Sequence, residues 1–310
     1  MVRLVKLSNE AAVKLGFRDF YALQLALNEQ DETSLLGFFD QLDALTTASF
    51  TEAKTRIDGV QARRLDVPAS ELMPWDYTDR FFQEAPNLSD VDMDAPLAGK
   101  DIGKLVASFY RGIGLDAEPI LARSDLYEHK GKNPHAFSQD IDRNGDVRAL
   151  LNIKPNQTWL GTTPHELGHG VYEYNINRSL PNLLRVEDSI FATEGFAMMM
   201  ERLAENAAFY RAMALVDETT LAKLGAPMEE KERMQGLIFS RWTQVMLRFE
   251  KDLYANPEKD LDALWWRLVE RYQGIKRPAV PFRSAAGSAA NSRPSSSRSP
   301  GRLVQAMAVE

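Results

Sequence analysis

The chain has 310 residues, enough for one large core or two lobes, and its 44% apolar and 26% charged residues are the balance of an ordinary globular protein. Its net charge of −7 is spread along the chain rather than gathered in one block, which argues against nucleic acid as a partner. There is no cysteine, so disulfides, thiolate catalysis and cysteine metal sites are excluded. Met1–Val13 carries Lys6, Asn9 and Glu10 where a signal peptide needs an unbroken apolar core, and no stretch reaches the length of a membrane span. A cytoplasmic location with no membrane span is therefore expected.

Taken in chain order, Leu15, Tyr21, Leu23, Leu25 and Leu27 predict helix over Ser8–Gln30, interrupted near Gly16. Leu35, Phe38, Phe39, Leu42 and Leu45 predict a second helix over Thr33–Ile57, with Gly59 as its stop. Pro68–Pro96 reads mainly as loop with a short helix, and Ile102–Ile113 as helix. Between Leu126 and Ile153 the pattern changes. Two short apolar runs flank Asp142-Arg143-Asn144-Gly145, and an Asn-Gly turn in that setting predicts a β-hairpin. A helix is expected next from about Thr163 to Asn175, with Thr162, Thr163 and Pro164 as its start. Helix resumes from Ser189. Met234, Leu237, Ile238, Trp242, Val245, Met246, Phe249 and Leu253 trace one face of a long amphipathic helix, and another spans Leu261–Tyr272. Residues 284–310 hold seven Ser, six Ala and no aromatic residue, which predicts a low-complexity flexible tail after a helical domain over 1–283.

The residues that carry chemistry are His165-Glu166-Leu167-Gly168-His169, with Glu194 following 25 positions later. On a helix, residues four apart lie one above the other, so both imidazoles can reach one metal ion. Glu166 lies about a quarter turn away, too far round for a comfortable ligand and well placed to act as general base on a water. A catalytic zinc keeps three protein ligands and one open position, and Glu194 is the natural third ligand. One Zn2+ per chain is expected.

These residues resemble the zinc peptidases built around angiotensin-converting enzyme (peptidyl-dipeptidase A) and thimet oligopeptidase, a group that includes oligoendopeptidase F. Leu180-Pro181 to Leu184-Arg185 and Trp265-Trp266 with Tyr272-Gln273-Gly274 resemble segments of the converting-enzyme relatives, and Gly131-Lys132-Asn133-Pro134-His135-Ala136-Phe137 resembles one of the thimet group. The likeness covers roughly Met1 to Pro281. It implies a mainly α fold, a helical zincin with two halves around a substrate channel and a small β-hairpin or edge strand beside the metal. It also implies peptide substrates held by main-chain hydrogen bonds, with His135 and Ala136 in contact with them, although a histidine there can equally cap the strand.

Two departures from the group stand out. Relatives of converting enzyme place an Asp four residues after the third ligand to orient a metal histidine, whereas this chain has Met198. Glu201 and Asp188 are the candidates to replace it, each otherwise a solvated carboxylate. The group is also expected to carry, after Tyr-Gln-Gly, a His and a Tyr that stabilise the developing oxyanion. This chain has no His after His169 and no Tyr after Tyr272, and its start matches an interior helix of relatives, so it reads as truncated at both ends. The expected function is zinc-dependent hydrolysis of oligopeptides with Glu166 as base. The alternative is a zinc-binding remnant that is catalytically weak or inactive.

Overall fold

The structure is a computed structural model, and it describes residues 2–77, 79, 81–187 and 189–278. The helices in chain order are α1 (Val2–Lys14), α2 (Phe20–Leu27), α3 (Glu32–Leu65), α4 (Ile102–Gly112) and α5 (Glu118–Leu121). Strands β1 (Phe137–Asp140) and β2 (Val147–Leu150) follow, then α6 (Gln157–Tyr174), α7 (Ile190–Ala204), α8 (Ala207–Ala212), α9 (Glu218–Ala255) and α10 (Leu261–Gln273). The protein is mainly α, and among the described residues the antiparallel pair β1–β2 is its only sheet. None of the described helices is long and apolar enough to cross a membrane. The expected tail, residues 284–310, lies outside the described residues, as does Asp188.

The chain divides into two compact units, one formed by Met1–Leu88 with the described residues from Arg233 on, the other by Ser89–Glu232. In the first unit the break expected near Gly16 is present. Gly16 takes a left-handed φ of 89°, and Asp19 then caps α2 by accepting from Ala22 N–H. Gly59 does not stop α3, which runs on to Leu65 and ends where Asp66 turns left-handed at φ 54°. A helical glycine costs only about 1 kcal/mol, less than is gained by burying Phe50 and Ile57 on the same helix against Ile238, Val245, Leu264 and Leu268. Likewise α9 begins at Glu218, well before the apolar stripe that starts at Met234. The second unit has its own core, in which Leu97, Ile102, Val106, Tyr110, Ile120 and Val147 pack with Leu160, Leu167 and Val171 of α6 and Met200 of α7.

The hairpin forms where the Asn-Gly turn places it, in the register Phe137↔Leu150 to Asp140↔Val147. Gly145 adopts φ 109°, a conformation that side chains with a Cβ avoid. Arg178, just past α6, ties the hairpin down by donating to Asp140 Oδ2 at 2.9 Å and to the Glu173 carbonyl at 2.8 Å.

One buried group of the first unit has a consequence for stability. Glu250 is only 4% exposed, and among the described residues neither its Oε2 nor the hydroxyl of Tyr21, which feels the Glu250 charge, has a hydrogen-bond partner. Burial pushes the Glu250 carboxyl up to about 8. A carboxyl raised above its unfolded value of about 4.3 stabilises the fold fully at lower pH, and that stabilisation is lost as pH rises through the folded value. The melting temperature of the wild type is therefore expected to fall between pH 5 and pH 9, whereas Glu250→Gln, which cannot ionise, should retain at least about 1 kcal/mol of the difference. Thermal unfolding followed by circular dichroism at the two pH values checks this, and parallel pH dependences for the two proteins would contradict it.

Candidate metal centre

The helix that carries the histidine pair starts earlier than its sequence suggests. Proline is common in a first helical turn, which makes Pro164 look like a start signal. In the structure α6 begins at Gln157, and Thr162, Thr163 and Pro164 lie inside it. The free N–H groups of the first turn are satisfied instead by Asn156, which accepts from Trp159 N–H at 3.0 Å, and by Asp94, which accepts from Gln157 N–H at 2.8 Å. Pro164 removes one N–H from the helix ladder. Tyr110, fully buried on α4, donates to the Pro164 carbonyl at 2.5 Å and so fixes the backbone immediately before His165.

Glycines then let α7 come close. A Cβ added at Gly168 would lie 2.9 Å from the Ala197 Cα, closer than real side chains approach, and one at Gly161 would lie 2.7 Å from Glu205 Oε1. On the other side of α6, a Cβ at Gly170 would meet Ser138 Oγ of β1 at 3.0 Å. The contacts Gly161 with Glu205, His165 with Glu201, Gly168 with Ala197 and His169 with Thr193 run in opposite order along the two helices. Thus α6 and α7 cross antiparallel, with Gly168 and Ala197 at the closest point.

This crossing brings His165, His169 and Glu194 together, with one ligand atom from each within 4.8 Å of the others. Glu194 Oε1 is 3.4 Å from His165 Nε2, and Glu194 Oε2 is 3.4 Å from His169 Nε2. Two ligands bonded at about 2.0–2.2 Å to one tetrahedral ion lie about 3.3–3.6 Å apart, and each imidazole is at that distance from a different oxygen of the Glu194 carboxylate. The imidazole rings are 5.0 Å apart at a steep 75° angle, so each offers its Nε2 from a different direction. The donor set of two imidazoles and a carboxylate can hold a divalent metal ion.

The second nitrogen of each ring is also held. His165 Nδ1 is 2.9 Å from Glu201 Oε2, and His169 Nδ1 is 2.9 Å from Thr193 Oγ1. Burial opposes a charge on His165 most strongly, but the hydrogen bond to Glu201 and the carboxylates of Glu201, Glu194 and Glu166 outweigh it and push the imidazole up to about 9. Surroundings that retain a proton this firmly favour a cation in its place. Glu166 itself is 8% exposed, and its charge acts on His165 although it is outside the converging trio.

Of the residues expected from sequence, the structure thus gathers His165, His169, Glu194 and Glu201, with Glu166 beside them. His135 and Ala136 stand just ahead of β1, where His135 is exposed and its backbone N–H donates to Asn133 Oδ1 at 3.0 Å. The strand they lead into, β1, packs on α6. Lys132 has a structural task, since its buried amine donates to the Asp125 carboxylate and to the Asp125 and Tyr127 carbonyls, closing the loop before the strand. Thr193 and Tyr110 were not readable from the sequence, because neither belongs to a motif and each acts through a contact between helices. A scan against known protein families finds none that matches the chain, and a search of curated proteins finds no match either.

The close approach at Gly168 can be tested. Gly168→Ala sets a methyl group against backbone, which no side-chain rotation relieves, so it is expected to cost about 1–3 kcal/mol in urea unfolding. It should also weaken metal binding at least about tenfold by displacing Glu194. Gly225→Ala, in a helical position where an added Cβ meets nothing within 4 Å, is the control and should be neutral or slightly stabilising. Equal stability of the two variants would show that the contact is unimportant.

Proposed function

We propose that the protein is a zinc-dependent peptidase of the helical zincin type, hydrolysing peptide bonds of oligopeptides, with one zinc ion held by His165, His169 and Glu194. The observation that carries this reading is the arrangement of both Nε2 atoms around the Glu194 carboxylate while both Nδ1 atoms are engaged elsewhere. It leaves the metal-facing nitrogens directed at one point. The sequence resemblance supplies the substrate class. What zinc supplies when bound is Lewis acidity, which lowers the pKa of a water from about 15.7 towards 7 and polarises a carbonyl.

The chain's own residues do the rest. His165, His169 and Glu194 bind, and Glu201 orients the ring of His165. Glu166, not itself a ligand, takes a proton from the attacking water and passes it to the leaving amine. The segment at His135 and Ala136 leads into β1, which pairs with β2 among the described residues, and it would contact the peptide substrate by main-chain hydrogen bonds.

Metal analysis of protein dialysed against metal-free buffer is expected to give about one zinc per chain in the wild type and in Glu166→Gln, and little in His165→Ala or Glu194→Ala. On a library of quenched fluorescent peptides, Glu166→Gln should lose about 10²–10⁴-fold in rate. Loss of zinc from Glu166→Gln as complete as from His165→Ala would overturn the assigned roles. A zinc-loaded wild type that cleaves none of the library would favour the inactive zinc-binding reading.

A further inference from the structure

We infer that Thr193 is a positioning residue of the metal centre, its hydroxyl fixing the ring of His169 in the orientation and tautomer that present Nε2 to the ion. The inference rests on the metal-site reading above. A threonine inside a helix usually gives its hydroxyl to the carbonyl four residues back. Thr46, Thr47, Thr51 and Thr55 of α3 all do so, to Leu42, Asp43, Thr47 and Thr51. The hydroxyl of Thr193 instead meets an imidazole nitrogen of a different helix at 2.9 Å.

Three features make this contact suited to positioning. Thr193 is 3% exposed, so water does not compete for the ring nitrogen. Its side chain is branched at Cβ and stiff, so the hydroxyl is held in place by the helix itself. It also adjoins Glu194, so a single setting of α7 places one ligand and the group that orients another. A neutral imidazole has one donor and one acceptor nitrogen. With Nδ1–H donating to the hydroxyl, the lone pair is on Nε2, on the side where Glu194 Oε2 lies.

The two histidines are consequently held by unlike means. His165 is backed by the carboxylate of Glu201, whereas His169 is backed by a neutral group. Glu166, Glu194 and Glu201 already act on His165, and a fourth carboxylate behind His169 would offset more of the charge of the ion. A hydroxyl orients the ring and adds no charge.

The test uses metal alone on the full chain. Thr193→Val keeps the shape and removes the hydroxyl, and Thr193→Ser keeps the hydroxyl. Zinc affinity is read by competition with a chromophoric chelator, and the geometry of the site by the visible absorption bands of the cobalt(II)-substituted protein. Thr193→Val is expected to bind zinc about 10–100-fold more weakly and to shift the cobalt bands while melting near the wild-type temperature, and Thr193→Ser should restore both readings. Zinc affinity and cobalt bands of Thr193→Val equal to those of the wild type would overturn the positioning role while leaving the metal site intact. Equal loss in Thr193→Val and Thr193→Ser would also overturn it, since packing and not the hydroxyl would then matter. Should Thr193→Val fail to fold, Thr193→Ala carries the same comparison. A wild type that takes up neither metal would sink the metal site itself.

Discussion

The contact of Gly168 with Ala197 is the constraint on which the rest of the centre depends. A side chain at position 168 would hold α6 and α7 apart, and every polar contact of the centre spans that gap: Glu194 to both rings, Glu201 to one and Thr193 to the other. Helices packed through ordinary side chains lie about 8–10 Å apart, and small residues at the crossing allow a closer approach. The third position after His165 is therefore occupied for reasons of packing, while the first and fourth carry the side chains to which the proposed chemistry is assigned. Leu167 and Val171 face the other way, into the core of the second unit, and anchor the helix that presents the histidines.

Electrostatics and geometry act together at this crossing. Three carboxylates bear on His165, an arrangement that would be costly in a buried place without a cation to balance it. A proton on His165 would be one such cation, and a divalent ion would be another. Because both rings are fixed through Nδ1, exchanging the proton for a metal ion needs little rearrangement of side chains. Tyr110 contributes from further away by holding the backbone at Pro164, where the helix has lost a ladder hydrogen bond.

The part of the centre that depends on local periodicity was legible in the sequence. His165, His169 and Glu166 share a helix, and their relation follows from its turn alone. Glu194 was legible by its type and by the apolar helix around it. Glu201 stood only as one candidate of two, because whether a residue seven positions on reaches a ring depends on the direction in which the helices cross. Thr193 could not be found, since a threonine beside a glutamate carries no signal until its partner is known. The start of α6 was misplaced because Asp94 and Tyr110, which make the earlier start and the internal proline tolerable, are distant in sequence. Gly59 misled for a related reason: its intrinsic cost is small, and Ala62 beyond it still packs on the core that holds Phe50 and Ile57. Of the fold, the helices and the Asn-Gly hairpin were readable; a division in two was implied by the resemblance, but which segments form each unit was not readable, since it depends on which helices share a core.

The most direct test of the account is a crystal of the protein grown with one equivalent of zinc and measured on either side of the zinc absorption edge. The account predicts one strong anomalous peak bonded at about 2.0–2.2 Å to the Nε2 atoms of His165 and His169 and to the Glu194 carboxylate, with the Glu166 carboxylate outside bonding distance. A peak bound elsewhere, or full density for the three side chains with no anomalous signal between them, would contradict it.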